Sequence, residues 1–270
     1  MSEYTLREYK AEDSSALNNL WQQVFGDPEA LVAQFLRRLP ELGVGAVAVA
    51  EGKAVGAAYC LDGELCLSDG SVRPLGYLYA VAVSPEHRHQ GLGARLSELA
   101  AELSTKRGAE FICTLPAEQS LYAWYQEIIG VSCALHRRAA TVAAEAHLGC
   151  ERLSAQEYLR RRELLLSGKN HLRLSPAAME FAELFYSAFG GGLYGCGAGL
   201  CAAYSDGKTV LIKELLCPDG VSAQSMAASL AAQLGCGKAV FYLPAADGEA
   251  YIAAPEGCLP GDCIWNLSFD

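Results

Sequence analysis

Several things are scarce in this 270-residue chain, and each scarcity excludes something. No uninterrupted apolar run approaches the roughly 20 residues needed to cross a bilayer, although 51% of the residues are hydrophobic. The opening stretch "MSEYTLREYK" has no apolar core of the kind that marks a secretory signal. A soluble, cytoplasmic protein without a membrane partner is expected. Basic residues are few: 21 Lys and Arg stand against 31 Asp and Glu, for a net charge of -10. Binding to phosphate backbones depends on many cationic contacts, so nucleic acid is not an expected partner. The closest cysteine pairs, Cys196 with Cys201 and Cys258 with Cys263, have neither a second pair nor a nearby histidine to complete a tetrahedral site. No metal is expected. The eleven cysteines are odd in number and sit singly in apolar runs such as "FICTL" and "VSCAL", so they read as reduced, mostly buried small hydrophobes.

What is present is a regular alternation of periods. Tyr4 and Leu6 alternate with polar residues, and then Leu17, Leu20, Trp21, Val24 and Phe25 follow a helical period. Asp27 and Pro28 cap a second helix with its apolar face at Leu31, Phe35, Leu36 and Leu39, expected to end at Pro40. Three strands follow, divided by "EGK", "LDGE" and "SDGS". Next come a helix striped with Leu92, Leu96, Leu99 and Leu103, a strand "EFICTL" and a helix around "EQSLYAWYQEII".

The order then returns. Helices "AQEYLRRRELLL" and "AAMEFAELFYSAF" precede strands "GLYGCGAGLCAAYSD" and "KTVLIKELLCP", helix "AQSMAASLAAQL" and strand "KAVFYLPA". The chain reads as a duplication with domains at 1–148 and 149–270. The copies differ at one junction, where "EHRHQGLGARL" in the first is replaced by "DGVSAQSMAASL" in the second.

That junction, within "SPEHRHQGLGARL", joins a strand to a helix through Gly91 and Gly93. The glycines bring a ligand close to the backbone, the helix start offers unpartnered N–H groups, and the helix dipole with Arg88 adds positive charge. A phosphate or diphosphate is the natural guest. This loop lacks Gly-Lys-Ser/Thr, so it is not an NTP-binding loop, and it lacks the third glycine of the dinucleotide fingerprint.

What remains, Val83, Pro85, Arg88, Gly91 and Gly93 in V-x-P-x-x-R-x-x-G-x-G spacing, resembles the GNAT superfamily of acyl-CoA-dependent N-acyltransferases. With the order of elements, the likeness extends over residues 1 to about 140. It implies a mixed α/β fold (α+β) of two GNAT-like domains, each a mixed, mostly antiparallel sheet flanked by helices, in a tandem whose C-terminal copy is degenerate. It further implies acetyl-CoA as co-substrate. Its diphosphate would lie on the N–H groups of Arg88, His89, Gln90, Gly91, Leu92, Gly93 and Ala94, and its pantetheine along the strand edge at Val81, Ala82 and Val83, as in β-augmentation. A backbone N–H of that strand would polarise the thioester.

The resemblance also implies a tyrosine general acid, and "WYQEIIGV" offers Tyr125, with Tyr122 as a neighbour. The carboxylate that many relatives carry on the fourth strand is missing from "GYLYAVAV"; Asp62, Glu64 and Asp69 are the nearest alternatives, or a chain of waters. His87 and His89 read as phosphate-side or solvent residues. Some tandem relatives place their C-terminal carboxylate in the active site, which singles out Asp270 at the end of the strand-like "CIWNLSFD". The expected activity is acetyl transfer to a primary amine of a small acceptor, with acidity favouring a cationic one, by a monomer or homodimer. The alternative is a noncatalytic acyl-CoA-binding or regulatory module.

Overall fold

The computed structural model of the chain describes residues 4–265. In chain order the elements are β1 (Thr5–Glu8), α1 (Ser14–Val24), α2 (Glu29–Leu42), β2 (Gly43–Ala50), β3 (Lys53–Cys66), β4 (Val72–Val83), α3 (Leu92–Lys106), β5 (Phe111–Thr114), α4 (Leu121–Ile129), β6 (Ser132–Ala143), β7 (Cys150–Leu153), α5 (Ala155–Leu166), β8 (His171–Leu174), α6 (Pro176–Ala188), β9 (Gly192–Cys196), β10 (Gly199–Ser205), β11 (Thr209–Leu216), α7 (Ala223–Gln233), β12 (Lys238–Pro244) and β13 (Glu249–Ala254). They form two compact units. Among the described residues the first holds 4–65, 72–134 and 251–261, and the second 66–71, 135–250 and 262–265. One cut at 148 does not describe this division, because most of β6 belongs to the second unit and the end of β13 to the first.

The first unit's sheet runs β1-β2-β3-β4-β5-β13. The β1–β2, β2–β3 and β5–β13 pairings are antiparallel, and β4 lies parallel to β5. Strand β2, "GVGAVAVA", is apolar on both faces because both are covered. On one face α3 lays Leu92, Leu96 and Ala100 against Ala46, Ala48, Ala58 and Cys60, small residues that let the helix approach closely. On the other, Trp21 of α1 and Phe35 of α2 pack with Tyr59 at ring separations of 5.1 to 5.5 Å. Each such burial removes apolar surface worth roughly 2 kcal/mol.

Two local expectations are corrected. Helix α2 continues past Pro40 to Leu42. A proline there cannot bond the carbonyl of Leu36, but the Tyr9 hydroxyl donates to that carbonyl at 3.0 Å and supplies the missing partner. "LDGE" is not a turn: it lies inside the 14-residue strand β3, where Leu61, Gly63 and Leu65 are buried and Asp62 and Glu64 are partly exposed. The inward alternation outweighs the turn composition.

The second unit's sheet runs β6-β12-β11-β10-β9-β7, with β11 parallel to β12. From β7 to β12 the order of elements repeats that from β1 to β5, with three helices in each set and β8 added in the second. The short strands β7 and β8, like β6 and β13, were not expected, since four residues carry little periodicity and β6 interrupts its alternation with charge. The cysteines also depart from expectation. Cys150 and Cys196, opposite each other on β7 and β9, form a disulfide. Cross-strand register, which spacing along the chain does not reveal, brings the two sulfurs together. Among the described residues, no helix is long and apolar enough to cross a membrane.

Candidate functional site

After β4 the chain makes a single turn of 3-10 helix at Pro85–His87 and then enters α3 through two left-handed residues, His89 at φ 60° and Gly91 at φ 73°. Such alternation turns successive N–H groups toward one point. Gly91 is the N-cap residue of α3 and supplies no side chain to cap it. The first bond of the helical ladder runs from Arg95 N–H to the Gly91 carbonyl, 3.2 Å. The N–H groups of Leu92, Gly93 and Ala94 lie ahead of that ladder, at the positive end of a four-turn helix. Arg88 does not contribute its amide, which donates to the Pro85 carbonyl at 3.3 Å, and its Nε donates to the Val83 carbonyl at 3.0 Å. The guanidinium therefore folds back over the end of β4 and fixes the loop to it.

The strand edge beside this loop is open for a definite reason. Pairing of β4 with β5 stops at Leu78 opposite Thr114. Two residues later Ala80 takes φ 50°, an irregularity that turns the rest of β4 aside. Residues 81–83 thus continue beyond the point where β5 pairs with the strand, and the two parallel strands form a fork.

Between the loop and this edge is an open cleft of about 410 Å³. Of the sequence-predicted residues, Val81, Val83, Arg88, His89, Gly91, Leu92, Gly93 and Ala94 line it. Ala82 points to the opposite face of β4 and is buried. The Gln90 side chain accepts from the Tyr4 hydroxyl at 2.9 Å, away from the cleft lining. Val24, His87 and Trp124 also line the cleft. Since the Tyr4 hydrogen goes to Gln90, the 3.0 Å contact between Tyr4 and His87 requires Nδ1 of His87 to be the donor. Trp124 has a visible signal in hindsight: it stands one residue before Tyr125, in a helix whose start faces α3.

Tyr125 is 8% exposed and packs in the core of the first unit. Burial pushes its hydroxyl above the ordinary tyrosine value, and the neighbouring Thr114 hydroxyl offsets part of that rise. Thr114 in turn donates to the Leu78 carbonyl at 3.1 Å. Tyr125 is thereby tied through Thr114 to the branching point of the fork. The base candidates fare differently. Asp62 accepts from Arg107 at 2.7 Å, at the C-terminal end of α3 and remote from its N-terminal loop. Asp69 accepts from the N–H and hydroxyl of Ser71 and closes its own turn. Asp270 lies outside the described residues.

The corresponding junction of the second unit is built otherwise. Ser222 caps α7, accepting from the Ser225 N–H at 3.3 Å, so the helix start is partly satisfied from within. Pairing of β11 with β12 stops at Ile212 opposite Phe241, and at the next position Lys213 is buried, its Nζ 5.7 Å from the rings of both Tyr204 and Tyr242. Glu214 beyond it is fully buried and accepts from Arg162 at 3.0 to 3.1 Å and from the Tyr158 hydroxyl at 2.9 Å.

Residues 5–126, which contain every residue of the cleft, match the model of the acetyltransferase (GNAT) domain. In fold, the chain is similar to a GCN5-related N-acetyltransferase from Kribbella flavida (18% identity, TM-score 0.65, 93% of this chain and 71% of that one). It is also similar to a putative acetyltransferase from Pyrococcus horikoshii (13%, TM-score 0.65, 98% and 93%). A tandem GNAT protein from the clavulanic acid biosynthesis pathway aligns over 93% of this chain and 98% of its own, with 12% identity and a TM-score of 0.56. A search among curated proteins returns no match.

Proposed function

We propose that the protein is an acyl-CoA-dependent N-acyltransferase that moves the acetyl group of acetyl-CoA to the primary amine of a small acceptor, its first unit catalytic and its second degenerate. The observation that carries this reading is the meeting, in one cleft, of a left-handed loop, a helix start without a side-chain cap and a strand edge opened by the Ala80 irregularity. The N–H groups of residues 92–94 suit the diphosphate. The edge at 81–83 suits the amides of the pantetheine arm, which would bring the thioester toward the branching point.

In the transfer, the amine lone pair attacks the thioester carbonyl, and a main-chain N–H of β4 stabilises the charge on the oxygen. The C–S bond then breaks, the amine loses a proton to solvent, and Tyr125 protonates the leaving thiolate. A buried tyrosine with a raised pKa remains protonated at neutral pH, as this role requires. In the second unit, the Ser222 cap and the buried Lys213 occupy the equivalent features, which supports a structural role for that copy. The net charge of -10 favours a cationic acceptor.

The test is release of free thiol from acetyl-CoA in the presence of a panel of amines. Amine-dependent release is expected. Tyr125→Phe should lower kcat by roughly 100-fold, the lower end of general-acid effects, while CoA affinity changes less than about twofold. The rate should fall with rising pH only above the ordinary tyrosine value of about 10. Stabilisation by CoA without thiol release for any amine would point instead to a noncatalytic binding module.

A further inference from the structure

Apart from the cleft, one group of chemically capable side chains stands out, in the second unit. Cys66 at the end of β3, Glu163 on α5 and His171 on β8 come from three separate segments, and their ligand atoms lie within 4.8 Å of one another. Cys66 and His171 are buried. We propose that these three residues form a zinc site, distinct from the transfer chemistry, with a fourth position open to water.

The ligand set is one that zinc favours: a thiolate, an imidazole and a carboxylate. With bonds of about 2.0 to 2.3 Å, a tetrahedral ion holds its donors roughly 3.5 Å apart, so donors now within 4.8 Å of one another must close by at most about 1.3 Å. The histidine is already oriented. Its Nδ1 lies 2.8 Å from the Lys169 carbonyl, which can only accept, so Nδ1 carries the hydrogen and Nε2 is the metal-binding atom. Nε2 is 3.3 Å from Glu163.

This polarity also separates a metal site from a nucleophile–base–acid relay. A relay needs the acid on one ring nitrogen and the thiol on the other. Here the Lys169 carbonyl occupies Nδ1, leaving Nε2 alone to face the carboxylate.

The surroundings hold the ligands in place. Asn170 accepts from the Ser68 N–H at 2.9 Å and donates to Asp262 at 2.8 Å, tying the segment after Cys66 to the strand that carries His171. The N–H groups of Ile264 and Leu172 complete the clasp, donating to the carbonyls of Asn170 and Ile264 at 2.8 and 3.0 Å. Two cations adjoin Glu163: Arg162 at 3.3 Å and Arg173 at 3.8 Å. Arg162 directs its Nε and Nη2 to Glu214, so its charge is largely balanced there. With the thiolate and carboxylate balancing the dication, binding releases the Cys66 proton.

The full-length protein, stripped with a chelator under reducing conditions, would be titrated with Zn²⁺ against a chromophoric chelator and, separately, with Co²⁺. One metal per chain and a Co²⁺–thiolate charge-transfer band are expected. Cys66→Ser and His171→Gln should each weaken binding at least about 100-fold, and Cys66→Ser should abolish the band. Cys133→Ser and Cys258→Ser, at half-buried cysteines, should change neither. Because a core variant can fail to fold, X-ray absorption of the zinc-loaded wild type gives an independent reading: a mixed shell of one sulfur with nitrogen and oxygen is expected. Failure to bind stoichiometric zinc, binding undiminished by Cys66→Ser or His171→Gln, or a shell of several sulfurs would overturn the proposal.

Discussion

Gly91 and Gly93 look alike in the motif but are glycine for different reasons. A Cβ on Gly91 would meet nothing within 4 Å, yet its φ of 73° is left-handed. A Cβ on Gly93 would make ordinary contact with the Trp124 ring at 3.6 Å, from a helical backbone. Gly91→Ala should therefore cost about 1 kcal/mol of stability through backbone strain, whereas Gly93→Ala, in a helix, should be neutral or slightly stabilising. Thermal unfolding of the two variants decides this, and equal effects would contradict it. The sequence identified both glycines and the partners of the strand edge, because motif spacing encodes local backbone geometry. It did not reveal that the Arg88 amide is bonded to Pro85 or that Cys150 meets Cys196, since each depends on where a distant or folded-back atom lies. Trp124 escaped for the same reason: its place in the cleft depends on the packing of α4 beside α3.

Among the elements, β11 and α5 carry the most consequential unread feature. Arg162 and Glu214 are both nearly inaccessible and bonded at 3.0 to 3.1 Å, with Tyr158 donating to the same carboxylate. Removing one partner strands a buried charge. Arg162→Leu should destabilise the protein by about 3 to 5 kcal/mol, and adding Glu214→Leu should restore most of that loss. Denaturant unfolding of the single and double variants measures it; a double variant as unstable as the single one would show that the pair is not acting as a pair. In sequence, "AQEYLRRRELLL" gives the helix α5 with matching bounds, but its three arginines are indistinguishable there. Only the packing buries Arg162 while Arg160 and Arg161 pair with Glu157 at the surface. The continuation of α2 through Pro40 and the passage of β3 through "LDGE" teach the same lesson, because in each a tertiary contact or a buried face prevailed over a local breaker.

At the level of the whole molecule, the repeated order of elements was legible because helices and strands differ in hydrophobic period. The membership of β6 and β13 was not, since each completes a sheet whose other strands are read from elsewhere in the chain. The two units repeat an order of elements but differ at the helix start. Gly91 leaves α3 without a side-chain cap, and Ser222 caps α7. One uncapped helix start and one capped one predict that the chain binds one CoA and not two. Calorimetric titration of CoA into the full-length protein tests this most directly. One site per chain is predicted, with its heat lost in Gly91→Val and retained in Ser222→Ala; no heat of binding, two sites per chain, or a site that survives Gly91→Val would contradict it.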